Sequence, residues 1–171
     1  MIFDEAFYRK MATQKWRQQD YKKAAEYYEK VLELSPEDFD IQQHYAQCLV
    51  KLNIGKKAER LFYENIVKDF HVAESFYELS QLNIELNEPN KAFLFGINYV
   101  ILSEDKDFRE MLEKTFEVTY TNEQKIELEA QLFSTQLLFQ FLFSQGRLEE
   151  ARTYILIQSY EIQQHRVIRN L

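Results

Sequence analysis

YKKAAEYYEKVLELSPED, residues 21–38, carries the pattern that decides the fold. Tyr21, Ala24, Ala25, Tyr28, Val31 and Leu32 recur at the three-to-four-residue spacing of one helix face. Outward from this stretch the pattern returns at a fixed period, the distance from Ala24 to Ala58 and again from Ala58 to Ala92. At the same interval Ala12 is followed by Ala46 and Ser80, and Met11 by Tyr45 and Leu79. Leu32, Ile66 and Val100 form another apolar column, and Tyr28 and Phe62 a further one. Several independent columns sharing one period mark an internal repeat.

Each unit reads as two amphipathic helices. Phe7, Tyr8, Met11, Ala12 and Lys15 sit at helical spacing, Gln18-Gln19-Asp20 breaks the run, and Tyr21 resumes it. A residue no larger than Ala or Ser lets two crossing helices approach while large neighbours fill the flanks. Ser35-Pro36-Glu37-Asp38 reads as a helix start, with Ser35 as N-cap and Pro36 at the first helical position. Asn87-Glu88-Pro89-Asn90 separates the two helices of the third unit.

Composition agrees and narrows the function. Average usage would place roughly twenty glycines and prolines in a chain of this length; there are three and two in 171 residues. That scarcity predicts helices joined by short links, not many short strands. Gly55, Gly96 and Gly146 are too dispersed for a phosphate-cradling loop. Cys48 is alone, and His44, His71 and His165 are scattered, so no disulfide framework, zinc site or other metal site is expected. No run approaches the roughly 20 apolar residues of a membrane span, and MIFDEAFYRK lacks the apolar core of a secretory signal. The net charge of -7 disfavours nucleic acid and anionic membrane surfaces as partners. A cytoplasmic protein without cofactor or catalytic centre is expected.

The pattern resembles the tetratricopeptide repeat family, whose motif has a small residue at position 8, Ala at 20, an aromatic at 24 and Pro at 32. Residues 5–38 supply Ala12, Ala24, Tyr28 and Pro36 at those positions; residues 39–72 supply Ala46, Ala58 and Phe62, with Phe70 in place of Pro. Residues 73–106 supply Ser80 and Ala92, with Gly96 replacing the aromatic and Glu104 the Pro. The resemblance implies an all-α fold, an α-solenoid of antiparallel helical hairpins wound as a right-handed superhelix, here one domain over 1–171.

Beyond residue 106 the register slips. Residues 107–119 predict an amphipathic helix with Phe108, Met111, Leu112 and Phe116 on one face. Thr121-Asn122-Glu123-Gln124 reads as a capping box opening a helix to about Ser144. Ala151 looks like position 20 of the motif again, but it comes well over one period after Ala92. One arrangement has an inserted helix at 107–119 and a degenerate fourth hairpin at 122–167. The other pairs 107–119 with 122–144 and leaves 147–167 as a cap.

In the family this resemblance implies, the first helix of each hairpin lines a concave groove that binds a protein or peptide segment. The corresponding positions are Arg9, Lys10, Thr13, Trp16 and Arg17 in the first repeat, and Asp40, Gln43, His44, Gln47 and Lys51 in the second. Glu74, Tyr77, Glu78, Gln81 and Glu85 follow in the third. This expected groove runs from basic to acidic. The subset that clamps the C-terminal carboxylate of heat-shock chaperones needs cations where Glu74 and Glu78 stand, so the chaperone tail is rejected as partner.

A second candidate surface is LFSTQLLFQFLFS, residues 132–144, apolar on more than one face. Burial between neighbouring helices accounts for it; the alternative is a self-associating scaffold that exposes Phe133, Phe139 or Phe143 to a second copy. Cys48, among Tyr45, Ala46 and Leu49, reads as a buried structural thiol. The leading expectation is a noncatalytic adaptor, because no nucleophile–base set, metal cluster or phosphate loop is visible.

Overall fold

The computed structural model describes residues 3–118 and 122–169, with side chains through Gln164 in the last helix. Nine α-helices and no strand occur among the described residues: α1 Glu5–Arg17, α2 Tyr21–Leu34, α3 Phe39–Lys51, α4 Gly55–Val67, α5 Val72–Glu85, α6 Pro89–Ser103, α7 Lys106–Phe116, α8 Glu123–Ser144 and α9 Leu148–Arg169. They form two compact units, one ending at Glu78 and the other beginning at Leu79.

In the first unit α1 packs on α2, α2 on α3, and α3 on α4. The small-residue columns are where these helices meet. Ala12, Ala24, Ala46 and Ala58 are all fully buried, with Tyr28 and Phe62 filling the space beside them. A Cβ-sized side chain at such a crossing permits close approach, so these positions select fold and spacing together.

The turn inside each hairpin repeats as faithfully as the helices. Gln19, Asn53 and Asn87 each adopt the left-handed conformation, with φ of 59°, 61° and 58°. The next residue's N–H closes back on the preceding helix, Asp20 to the Lys15 carbonyl, Ile54 to Leu49 and Glu88 to Asn83. This satisfies carbonyls that the helix end would strand. Gly146, at φ 74°, makes the same turn between α8 and α9, with Arg147 N–H on the Leu142 carbonyl.

The links between hairpins differ from expectation. Ser35 is the C-cap of α2, and Ser35–Glu37 lie before the helix; α3 starts at Phe39 with Asp38 as its N-cap. The Asp38 carboxylate accepts the Ile41 N–H at 3.0 Å. Ser35–Glu37 are not helical, so the first free N–H groups of α3 lie within reach of Asp38 and not of Ser35, and the carboxylate also faces the positive end of the helix dipole. α8 is capped by Asn122, whose Oδ1 accepts the Lys125 N–H at 3.1 Å; Thr121 lies outside the described residues.

In the second unit α6 packs on both α7 and α8, and α8 packs on α9. Gly96 explains the position of α7. A Cβ built there would lie 2.6 and 2.8 Å from the two Leu112 methyl carbons and 3.0 Å from Ser80 Oγ. The space that Tyr28 and Phe62 fill in the first two repeats is occupied here by Leu112 of α7, joined by Ile97, Phe108 and Ala130. Ser80 retains the small-residue position and donates its hydroxyl to the Ala92 carbonyl at 2.7 Å.

Candidate functional site

The faces of α1 and α3 carry most of the expected contact residues in the first unit. Lys10, Thr13 and Arg17 are exposed on α1, and His44 and Lys51 on α3. Lys10, Arg17 and Lys51 make no ion pair among the described residues. Trp16, half-buried, meets Tyr21 of α2 edge-on at 5.2 Å and His44 of α3 edge-on at 6.4 Å. His44 also lies 5.9 Å from the buried Tyr28 ring, and its Nδ1 donates to the Asp40 carbonyl at 2.8 Å. Trp16 therefore sits partly in the seam between consecutive hairpins, with cations on either side in sequence. Tyr21 and Tyr28 belong to this cluster as well. Their spacing shows only that they lie on a helix face, because the ring contact comes from two neighbouring helices.

Arg9 is placed differently from the other cations. Its guanidinium binds Glu5, with Nε 2.9 Å from Oε1, and also the Asp38 carboxylate. Burial pushes the Asp38 carboxyl up, but the Ile41 N–H and Arg9 outweigh this and hold it below its ordinary value. The Arg9 charge thus anchors the start of α3 to α1.

Gln43 is also turned inward, at 4% exposure. Its Oε1 accepts from Asn65 Nδ2 at 2.7 Å and from Ser75 Oγ at 3.0 Å. Asn65 Oδ1 accepts from Gln42 Nε2 at 2.9 Å, and Asn65 Nδ2 also reaches the Phe39 carbonyl at 3.2 Å. This polar network ties α3, α4 and α5 together beneath the surface. Gln43 Nε2 finds no acceptor among the described residues. Polar residues inside an apolar helix pattern gave no spacing signal for this cluster.

Further along the first unit, Gln47 Nε2 donates to Glu78 Oε1 at 3.3 Å, while Glu74 and Tyr77 are exposed on α5. Asp40 pairs with His71. Gln81, half-buried, and Glu85, exposed, fall in the second unit. Cys48 is fully buried, and burial pushes its thiol up to about 12, which holds it protonated and unreactive near neutrality.

The three candidate phenylalanines of α8 divide. Phe133 is half-buried and meets Phe95 of α6 edge-on at 5.2 Å. Phe139 is half-buried and stacks at 5.8 Å on Phe143, which is 58% exposed. Most of the Phe-rich run therefore serves α8's contacts with its neighbours. No helix among the described residues is long and apolar enough to cross a membrane.

Residues 15–62 match the family model of the tetratricopeptide repeat. A crystal structure of the MamA protein superposes with a TM-score of 0.58 at 18% identity, covering 98% of this chain and 96% of that one. A second MamA crystal structure gives 0.51 at 17% identity, covering 98% and 99%. No curated protein matches the chain in sequence. The likeness to the tetratricopeptide model is confined to residues 15–62, and the chain as a whole folds as an all-α solenoid of helical hairpins. That fold is generally one of protein–protein interaction.

Proposed function

We propose that the chain is a noncatalytic adaptor that binds a protein segment on the first-helix faces of its first unit. The observation that supports this is the Trp16–His44 contact between α1 and α3, the helices that also expose Lys10, Arg17 and Lys51. An indole held at a helix–helix seam is rigid and half-buried, the condition under which an aromatic anchors a partner at low entropic cost. Exposed lysines and arginine beside it favour an acidic segment and speed its encounter. Glu74 and Glu78 give the other end of this face the opposite sign, so a segment with acidic and then basic character is oriented as well as held.

Arg9 and Gln43 leave the contact set in this proposal, because one is committed to Asp38 and the other to Asn65 and Ser75. The test is capture from a cell lysate by the wild type and by the triple variant Lys10→Glu, Arg17→Glu, Lys51→Glu. Loss of the captured partner from the variant, with helicity unchanged, is expected. Equal capture by both proteins would sink the proposal.

A further inference from the structure

Phe70 stands where the repeat motif has proline, and it is 46% exposed. Its ring stacks on that of Phe39 at 4.8 Å and 26°. The fully buried Asn65 positions both residues. Its Nδ2 donates to the Phe39 carbonyl at 3.2 Å, and its own carbonyl accepts the Phe70 N–H at 2.9 Å. Asp69 and His71, on either side of Phe70, both hold left-handed backbone, with φ of 62° and 49°, and His71 is tied in turn to the Asp40 carboxylate. The ring pair is therefore preorganised. The two rings line a cavity of about 730 Å³, open to solvent at the start of α3, together with Pro36, Glu37, Asp38 and Asp40. That volume lies within the range of ligand sites, roughly 300–1,000 Å³.

We infer that this cavity takes the arginine side chain of a basic peptide segment. Carboxylates alone would not select this spot on a chain of net charge -7; the fixed rings beside them do. A guanidinium is planar, stacks on an aromatic face and forks onto a carboxylate at its edge, whereas a lysine ammonium brings only a point charge. The carboxylates differ in what they have left to give. Asp38 is committed to Arg9 and to the Ile41 N–H. Glu37 is exposed and makes no ion pair among the described residues. The Asp40 side chain is 71% exposed, with His71 as its partner. Glu37 and Asp40 are thus the acceptors and Phe70 the stacking surface. An apolar occupant would leave the two carboxylates desolvated and unpaired, and an acidic one would be repelled. Lys51 ends α3 about 18 Å from this cavity's side of the helix, so the inference does not rest on the proposed face around Trp16.

The test is titration of the isotope-labelled protein with the blocked peptide Gly-Gly-Arg-Gly-Gly, followed in amide nuclear magnetic resonance spectra. The amides of residues 37–40 and 70 are expected to shift saturably. The same peptide with lysine should bind about threefold more weakly or worse, and with citrulline, which keeps the shape and loses the charge, more weakly still. Phe70→Leu should weaken arginine binding at least about threefold, and Phe70→Tyr, which restores a ring face, should keep it. Glu37→Gln with Asp40→Asn should weaken it about tenfold. Glu149→Gln with Glu150→Gln changes the net charge equally on α9 and should leave it unchanged. Circular dichroism checks that each variant keeps its helicity; if Phe70→Leu does not fold, Phe70→Tyr and the two charge variants decide. The inference is overturned by the lack of a saturable shift at these amides up to about 10 mM peptide. Equal binding of the arginine and lysine peptides also overturns it, as does indifference of a folded Phe70→Leu variant. So does an equal loss from the α9 variant, which would reduce the effect to general charge attraction.

Discussion

Gly96→Ala sets two effects of opposite sign against each other. Replacing glycine in a helix interior by alanine ordinarily stabilises by about 1 kcal/mol. Here the added methyl would stand 2.6 and 2.8 Å from the Leu112 methyl carbons, well inside contact distance. Leu112 is fully buried among Ile97, Phe108 and Ala130, so its methyls have little room to retreat. Inserting a methyl into a packed core costs typically about 1–3 kcal/mol. Packing therefore wins or breaks even, and the variant should lose about 0–2 kcal/mol. Leu112→Ala alone should lose about 2–5 kcal/mol through lost contacts and the cavity left behind. In that background the Leu112 clash is gone and only Ser80 Oγ, at 3.0 Å, still crowds the new methyl, so the same change should now stabilise by up to about 1 kcal/mol. The double-mutant cycle is thus expected to show a coupling of about 1–3 kcal/mol. Urea unfolding followed by far-ultraviolet circular dichroism measures it. The one tryptophan, Trp16, lies in the first unit and reports that unit's transition separately. If Gly96→Ala stabilises equally in both backgrounds, Leu112 does not fill the space beside Gly96 as argued.

Two further predictions concern pH and the first unit. Asp38→Asn keeps an N-cap acceptor but removes the charge that faces the α3 N-terminus and Arg9, and should cost about 0.5–1 kcal/mol at neutral pH. Because the folded Asp38 carboxyl lies below its ordinary 3.8, its contribution is present above that value and lost as pH falls through the lower folded one. Wild-type and variant stabilities should therefore converge in acid, and parallel curves in acid titrations of unfolding would contradict this. At the alkaline end, burial pushes the Cys48 thiol from 9.0 and the Tyr28 phenol from 10.0, each to about 12. Raised folded values mean full stability below about pH 9 and progressive loss as pH rises toward about 12. Cys48→Ala should flatten the early part of that loss; an unchanged alkaline profile would show that the thiol contributes nothing.

The repeat was legible because its physical demands recur at fixed spacing. A crossing point that admits only Ala or Ser leaves a visible column, and Ala12, Ala24, Ala46 and Ala58 are indeed fully buried. The conformation of the intra-hairpin turn was less legible. Gln19, Asn53 and Asn87 share one backbone geometry at the spacing of the repeat, yet glycine, the usual marker of a left-handed residue, stands at none of them. Asparagine and, less readily, glutamine accept that conformation when the chain on either side fixes it. The inward turn of Gln43 and the Asp38 engagement of Arg9 were illegible for another reason. A groove position in a motif specifies where the Cβ points, whereas a long polar side chain goes where its hydrogen-bond partners are. Those partners, Asn65, Ser75 and Asp38, lie 22, 32 and 29 residues away.

The same distinction explains the second half of the chain. In the first unit α3 follows α2 directly and packs on it, with an aromatic residue, Tyr28, buried beside the small-residue column. At Gly96 that aromatic is missing, and a void of its size would cost several kcal/mol if it stayed empty. α7 supplies Leu112 to fill it from outside α6, and α8 then packs on α6 as α3 does on α2. Asn98 Nδ2 donates to the Ala130 carbonyl at 2.9 Å, and Ser134 Oγ donates to Asn98 Oδ1 at 3.3 Å, so small residues on α8 keep the approach close. The glycine that breaks the motif and the lengthened interval between Ala92 and Ala151 are therefore one change seen twice. Where α6 carries no side chain, α7 supplies one.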